Sequence, residues 1–225
     1  MKKFLFFTLI LAATFTCFSQ NCDTYYFFQK DKTVEMSLTN KKGKETGKNI
    51  YTISDVKKSG TTFSSTINSE LFDSKGKSIA RATNEIKCTG GVLMMDMKMF
   101  MSSTQQEQMG TAATGGAQAF IEYPANMKVG DNLNDGQFSM DFKMQSGMNA
   151  HIDMNITNRK VDGKESVTTP AGTWDCFKIS YHSKIKMKIG IGIPINADVT
   201  EWYAPGFGVV KTESGGGKTE ITAVK

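Results

Sequence analysis

Hydrophobic and polar residues alternate with a period of two along most of the chain, and helical periodicity is scarce. Residues 34–39 show the pattern clearly, because Val34, Met36 and Leu38 fall on one face of an extended strand. Clusters of turn-forming residues follow such segments at 41–44, 58–60 and 73–77. Strand-length segments separated by turns are typical of an antiparallel meander.

One interruption divides the alternating segments. Residues 102–116 begin with Ser-Thr-Gln-Gln-Glu-Gln-Met and continue as a small, polar, glycine-rich stretch. We expect a short helix or loop insertion there, joining two halves of one domain. Two separate domains are disfavoured, because no linker rich in proline or charge is present.

Alternation resumes beyond the interruption. We predict strands over 92–101, 138–144 and 150–160, and a hairpin turn at 162–164. The whole pattern predicts a single all-β domain over residues 20–225. Its architecture is an antiparallel meander of about a dozen strands, forming either a sandwich or a curved, partly open barrel.

The N-terminus, residues 1–19, has the pattern of a cleavable signal peptide. Lys2 and Lys3 precede an apolar segment, 4–16, that is too short to cross a bilayer as a helix. Cleavage after Ser19 would leave small residues at the positions that a signal peptidase recognises. We therefore expect a periplasmic or secreted protein.

A lipid anchor at Cys17 is the competing interpretation of the same segment. Cys17 follows apolar residues, but Phe15 and Thr16 fit a lipid-attachment motif poorly. An unmodified N-terminus at Gln20, found by mass spectrometry, would exclude the anchor.

The charge is small and dispersed. The net charge is +5, and two of the lysines lie in the predicted signal peptide. The remaining lysines are scattered in turns, which disfavours a nucleic-acid-binding surface. We expect no transmembrane segment in the mature chain.

Three cysteines lie beyond the signal peptide: Cys22, Cys88 and Cys176. An oxidising compartment favours one disulfide and leaves one thiol free. Cys176 lies in an alternating segment that is typical of a buried strand. We therefore predict a Cys22–Cys88 bridge, with other pairings as alternatives.

Methionines, 14 in all, are concentrated on a few predicted strand faces. In an extended strand every second residue shares a face, which groups two sets of side chains. These candidate ligand-binding residues are Met95, Met97, Met99, Met101, Phe138, Met140, Phe142 and Met144.

Three interpretations of the methionine faces remain open. They are a filled core, because methionine packs into irregular gaps; the lining of an apolar pocket for an acyl chain or similar ligand; or a Cu(I) site. The two histidines, His151 and His182, lie outside the tight methionine clusters, which disfavours copper. We expect no metal and no cofactor.

No catalytic constellation stands out. Both histidines are expected to face solvent, and no nucleophile elbow, phosphate loop or zinc spacing is present. Gly90–Gly91 and Gly215–Gly217 are expected to be hairpin glycines. We therefore expect a protein without enzymatic activity.

Several segments resemble a family of exported proteins. They are residues 40–44, 123–130, 167–176 and 201–211. The family is common in Bacteroidetes and is known as TapB-like, or as relatives of domain of unknown function 3108. The resemblance implies an all-β periplasmic or surface protein and brings no catalytic residues.

Two hypotheses of function follow. In the first, a concave apolar β surface binds a hydrophobic ligand or an envelope protein partner. In the second, the protein is a structural component of the envelope with a filled core and no small ligand. The predicted fold is also similar to the open β-barrels that carry lipoproteins across the periplasm, a likeness of fold rather than function.

Overall fold

A computed structural model describes residues 22–109, 119–144, 146–188, 192 and 194–225. Twelve strands account for most of these residues. In chain order they are β1 Thr33–Asn40, β2 Glu45–Ser59, β3 Thr62–Asp73, β4 Ser78–Thr89, β5 Val92–Asp96, β6 Phe120–Tyr123, β7 Gly136–Lys143, β8 Asn149–Thr169, β9 Gly172–Lys188, β10 Pro194–Ala204, β11 Gly208–Ser214 and β12 Gly217–Val224. One α-helix, α1 Ser103–Met109, and short 3-10 turns at Cys22–Thr24, Tyr26–Phe28 and Met97–Phe100 complete the elements.

The strands form one antiparallel sheet in the order β6-β5-β4-β3-β2-β1-β12-β11-β10-β9-β8-β7. β1 pairs with β12 at the centre, and a six-strand meander runs outward from each. The sheet curls until it is nearly closed, so that its two outer strands, β6 and β7, approach each other. This confirms the predicted all-β meander and selects the curved barrel over the sandwich.

The predicted N-terminal features lie outside the described residues. These are the signal peptide, its cleavage site and Cys17, together with residues 110–116 of the predicted insertion. Within the described chain, no helix combines the length and apolar character needed to cross a bilayer.

The hairpin turn predicted at 162–164 is wrong. β8 runs unbroken through it and pairs with β9 along nearly its whole length. The register shifts between Thr157 and Lys160 and again between Val161 and Gly163, so extra residues are absorbed as bulges. Because bulges bend a strand and increase its twist, they help the long β8–β9 pair to coil into the barrel.

The strand predicted over 92–101 is also wrong in its second half. β5 ends at Asp96, whose carboxylate accepts a hydrogen bond from the Lys98 backbone N–H at 2.9 Å. This cap starts the 3-10 turn Met97–Phe100, so the methionines there do not share a strand face. The short helix predicted in the following insertion is confirmed as α1.

α1 begins with a reciprocal cap. The Ser102 hydroxyl accepts from the Gln105 N–H at 3.2 Å, and the Gln105 side-chain oxygen accepts from the Ser102 N–H at 2.9 Å. The helix packs against β3 and β4.

The N-terminal segment Cys22–Phe28 covers one end of the barrel. Tyr25 and Phe27 are buried, and the Tyr26 N–H donates to the Gly206 carbonyl in the β10–β11 turn at 3.3 Å. A disulfide joins Cys22 to Cys88 on β4, as the cysteine pattern predicted.

Cys176 is a buried free thiol, also as predicted. Burial raises its pKa to about 12, with smaller contributions from Asp175 and Glu165. The thiol therefore stays protonated and unreactive at neutral pH.

The barrel closes at a seam between β6 and β7, which share no ladder in the described chain. Arg159 crosses it, donating from Nη1 to the carbonyls of Glu122 and Asn134 at 3.1 and 2.9 Å. Gly136 on β7 faces Ile121 on β6 so closely that an added Cβ would lie 2.2 Å from the Ile121 Cδ1 atom.

We predict that removing the disulfide, in the variant Cys22→Ser/Cys88→Ser, lowers the free energy of unfolding by about 4 kcal/mol. The bridge closes a loop with a sequence separation of 66 residues, and that closure restricts the unfolded chain. Urea denaturation measures the change. Reductant should destabilise the wild type by a similar amount and leave the double variant unaffected. If reductant leaves the free energy of unfolding of the wild type unchanged, the Cys22–Cys88 disulfide is wrong.

We also predict that Gly136→Ala lowers stability by about 1–3 kcal/mol, because the new methyl group must displace Ile121 at the seam. Gly163→Ala on β8 is the matched control, since nothing lies within 4 Å of its Cβ position. Thermal denaturation should give a lower melting temperature for Gly136→Ala than for Gly163→Ala. Equal stabilities would show that the seam is not closely packed.

Candidate functional site

A cavity of about 410 Å³ lies inside the barrel. Its wall is formed by inward-facing side chains of β1–β3, β5 and β9–β12, with residues from the 3-10 turn and the start of α1. Most of the wall is apolar, and representative residues are Met36, Leu38, Leu71, Ile185, Val199 and Val209.

Three of the four methionines predicted on the first face line this cavity. Met95 reaches it from β5, while Met99 and Met101 reach it from the 3-10 turn and its end. Met97 is fully buried and does not line the cavity. It packs at the seam beside Gly136, and a Cβ atom added to that glycine would lie 3.1 Å from the Met97 sulfur. The predicted strand face is therefore wrong for Met97, Met99 and Met101, while ligand binding by these residues stays a prediction.

The second predicted face belongs to the filled core. Phe138 and Phe142 are buried on the inner face of β7, and Met140 and Met144 pack against the same core. None of the four lines the cavity. The two methionine faces therefore have different surroundings.

A buried carboxyl group on the cavity wall is the main feature that sequence reasoning missed. Glu201, on β10, is 1% exposed and accepts a hydrogen bond from the Tyr123 hydroxyl at 2.9 Å. Tyr181 supplies a second side-chain hydrogen bond. Burial raises the pKa of Glu201 to about 7, although Arg159 and the two tyrosines oppose the shift.

Aromatic rings extend this polar group across the barrel. The Tyr123 ring stacks on the Tyr203 ring at 4.6 Å, and the Tyr203 hydroxyl lies 2.9 Å from that of Tyr25. The Arg159 guanidinium lies 5.0 Å from the centre of the Tyr123 ring. The network therefore links the seam to the N-terminal segment, and its Arg159 Nη2 atom has no hydrogen-bond partner among the described residues.

The signal for Glu201 was present in the alternation of β10. Val199, Glu201 and Tyr203 share the inward face, while Trp202 lies on the opposite face. A charged residue at an inward position indicates a buried polar site. The sequence pattern also predicts a strand over 197–203, in which Glu201 occupies this inward position.

A second polar group lies on the wall at β2. The Asn49 amide nitrogen donates to the Ser103 hydroxyl of α1 at 3.2 Å. The Asn49 Oδ1 atom is buried and has no hydrogen-bond partner within the described chain. Tyr51, beside it, has a pKa raised by burial, which the hydrogen bond from Asn49 partly offsets.

A separate, shallow depression of about 450 Å³ lies where β7 and β9 end and β8 begins. His151 occupies it between two carboxylates: Nδ1 is 2.7 Å from Asp141 and Nε2 is 2.9 Å from Asp153. The Ser139 hydroxyl donates to Asp153 at 3.0 Å, and Lys188 contacts the same carboxylate at 3.4 Å.

This cluster has the residue types of a Ser-His-Asp arrangement, but its hydrogen bonds connect them differently. The Ser139 hydroxyl lies 3.3 Å from the His151 Nε2 atom and donates to Asp153, while each ring nitrogen of His151 lies within hydrogen-bond distance of a carboxylate. The hydrogen bonds to Asp153 and Asp141 raise the pKa of His151. The cluster is therefore a polar surface network in which carboxylates hold both nitrogens of His151.

We predict that Glu201→Gln removes a pH dependence of stability. The pKa of Glu201 is about 7 in the folded state, whereas an unperturbed glutamate side chain has a pKa of 4.5. Between these values the folded protein binds a proton that the unfolded chain has released. The wild type therefore loses about 3 kcal/mol relative to Glu201→Gln as pH rises from 4.5 to 7.

Urea denaturation at pH 4.5, 6 and 8 checks this difference. Glu213→Gln is the matched control, because that carboxylate is exposed on β11 and faces away from the cavity. If the difference in free energy of unfolding between the wild type and Glu201→Gln is the same at all three pH values, Glu201 does not have a raised pKa.

Two solved structures share this fold. One, from Parabacteroides distasonis, is provisionally assigned as a lipoprotein; it is 21% identical with a TM-score of 0.69, and the match covers 87% of this chain and 95% of that one. The other, from Bacteroides fragilis, is provisionally assigned as an exported protein with a YmcC-like fold; it is 20% identical with a TM-score of 0.66, covering 88% and 96%.

No curated protein matches the chain. The model of the DUF3108-like family matches residues 29–224, which takes in every strand of the barrel. The resemblance noted in the sequence is thereby confirmed, and this chain belongs to the DUF3108-like family.

Proposed function

We propose that this protein is a non-catalytic binding protein of the cell envelope that holds an apolar ligand inside its barrel. The observation that carries the proposal is the cavity of about 410 Å³ with its largely apolar wall. Ligand sites in proteins have volumes of about 300–1,000 Å³ and combine apolar walls with a few polar groups. The cavity meets both criteria.

The composition of the wall supports an adaptable site. Met36, Met95, Met99 and Met101 contribute flexible, polarizable side chains from different elements. Methionine tolerates cargo of irregular shape because it has three rotatable bonds and no branching. A flexible hydrocarbon chain is therefore a suitable ligand.

The cavity also has a route to the surface. Ile195, at the start of β10, lies on the cavity wall and is 59% exposed. The opposite end of the barrel is covered by the N-terminal segment Cys22–Phe28. A ligand would therefore enter near the start of β10, with its far end towards Phe27.

The envelope location has three supports. Residues 1–19 have the pattern of a signal peptide, and the two structures of similar fold are provisionally assigned as a lipoprotein and an exported protein. The disulfide between Cys22 and Cys88 fits an oxidising compartment.

We predict that Ala197→Phe weakens binding of an uncharged apolar dye, N-phenyl-1-naphthylamine, by at least roughly tenfold. Ala197 lines the cavity on β10, so the new ring occupies space that the dye needs. Fluorescence titration of the purified protein measures the affinity.

Asn196→Phe is the matched control, because its side chain is exposed on the other face of the same strand. This variant should bind the dye as the wild type does. No binding by the wild type, or equal binding by Ala197→Phe, would instead favour a scaffold protein without a small ligand.

A further inference from the structure

The charge on the cavity wall has one sign only. Among the described residues that line the cavity, Glu201 is the single acid, and none is a lysine, an arginine or a histidine. Arg159 is not part of the wall; its guanidinium lies against the Tyr123 ring. An anionic group entering the cavity would therefore approach a carboxyl group and meet no counter-ion on the wall.

Glu201 retains capacity to accept hydrogen bonds. A carboxylate accepts about four, whereas the Tyr123 and Tyr181 hydroxyls supply two. Because Glu201 is one of the residues that line the cavity, a donor group in the cavity lies next to this carboxyl group. An ionised carboxylate at this depth is costly unless further donors reach it.

Building on the proposed function, we infer that the ligand is an apolar molecule bearing a hydrogen-bond donor, a hydroxyl or an amine, whose hydrogen bond Glu201 accepts. Glu201 is the one charged group on the described wall and accepts hydrogen bonds when it is ionised, so a donor is the complementary group. A fatty-acid anion is excluded by the same feature, because its carboxylate would lie in an apolar space beside Glu201 without a cation.

The state of Glu201 above neutral pH is consistent with this selectivity. Burial raises its pKa to about 7, so the carboxyl group is largely ionised at pH 8 and accepts from either donor. A primary alkylamine is protonated at pH 8, so its hydrogen bond to Glu201 joins two charged groups. We therefore expect the amine to bind more tightly than the alcohol.

The test compares three probes of equal chain length: 1-decanol, decylamine and decanoate. Each displaces N-phenyl-1-naphthylamine from the purified protein at pH 8, where decanoate is anionic. We expect decanol and decylamine to bind at least roughly tenfold more tightly than decanoate. The comparison uses the wild-type protein, so it does not depend on a variant that folds.

Glu201→Gln then assigns the selectivity to one group. This variant should reduce the preference for decylamine over decanoate by at least roughly tenfold, because the charge is removed while the shape is kept. Glu213→Gln, on the outward face of β11, should leave the preference unchanged.

The outcomes separate the two proposals. Dye binding with decanoate equal to or tighter than decanol and decylamine would overturn the donor inference and leave the apolar binding site standing. A preference that survives in Glu201→Gln would overturn the assignment to Glu201. The absence of dye and probe binding would overturn the proposed function itself.

Discussion

The ladder between β1 and β12 is the interaction on which the barrel depends. These strands lie near the two ends of the domain, and their pairing joins two meanders that otherwise run in opposite directions. Reciprocal hydrogen bonds between Thr33 and Lys225, at 2.9 and 3.0 Å, extend the ladder. The Tyr26 hydroxyl donates to the Lys225 carbonyl at 2.6 Å, which ties the N-terminal segment to the same junction. Because the centre of the sheet is closed in this way, its remaining edges meet at the seam between β6 and β7.

The barrel is filled on one side and hollow on the other because inward side chains differ in size. β7 and β8 contribute large residues such as Phe138, Phe142 and Met154, which pack into a continuous core. β9–β12 contribute several small or polar residues to the cavity wall, among them Ser183, Ala197, Thr212, Ser214 and Thr219. Close packing requires matched volumes across the interior, so the space left by small side chains remains as a cavity. Its position therefore follows from residue size along the strands, not from an irregularity of the backbone.

Local alternation was enough to predict the all-β meander and several of its hairpins, and cysteine chemistry was enough to predict the disulfide. It failed in two places, one decided by a local side-chain cap and the other by strand pairing. The strand at 92–101 ends at Asp96 because its side chain caps a turn. The expected turn at 162–164 is a bulged strand because β9 pairs along both sides of it. Methionines alone did not distinguish core from cavity, since Met97 and Met99 have the same chemistry and different surroundings.

The alternation of β10 places Glu201 on an inward face, but its environment could not be predicted from the sequence because it comes from three other strands. Tyr123 on β6, Tyr181 on β9 and Arg159 on β8 surround it only in the folded barrel. An ionised carboxyl group in that position opposes folding, and an apolar residue would fit the core at lower cost. On the proposed function, a ligand that donates to Glu201 would bind the folded state alone and would recover part of that cost as binding free energy. The same buried group would then lower the stability of the empty barrel and select the ligand that stabilises the filled one.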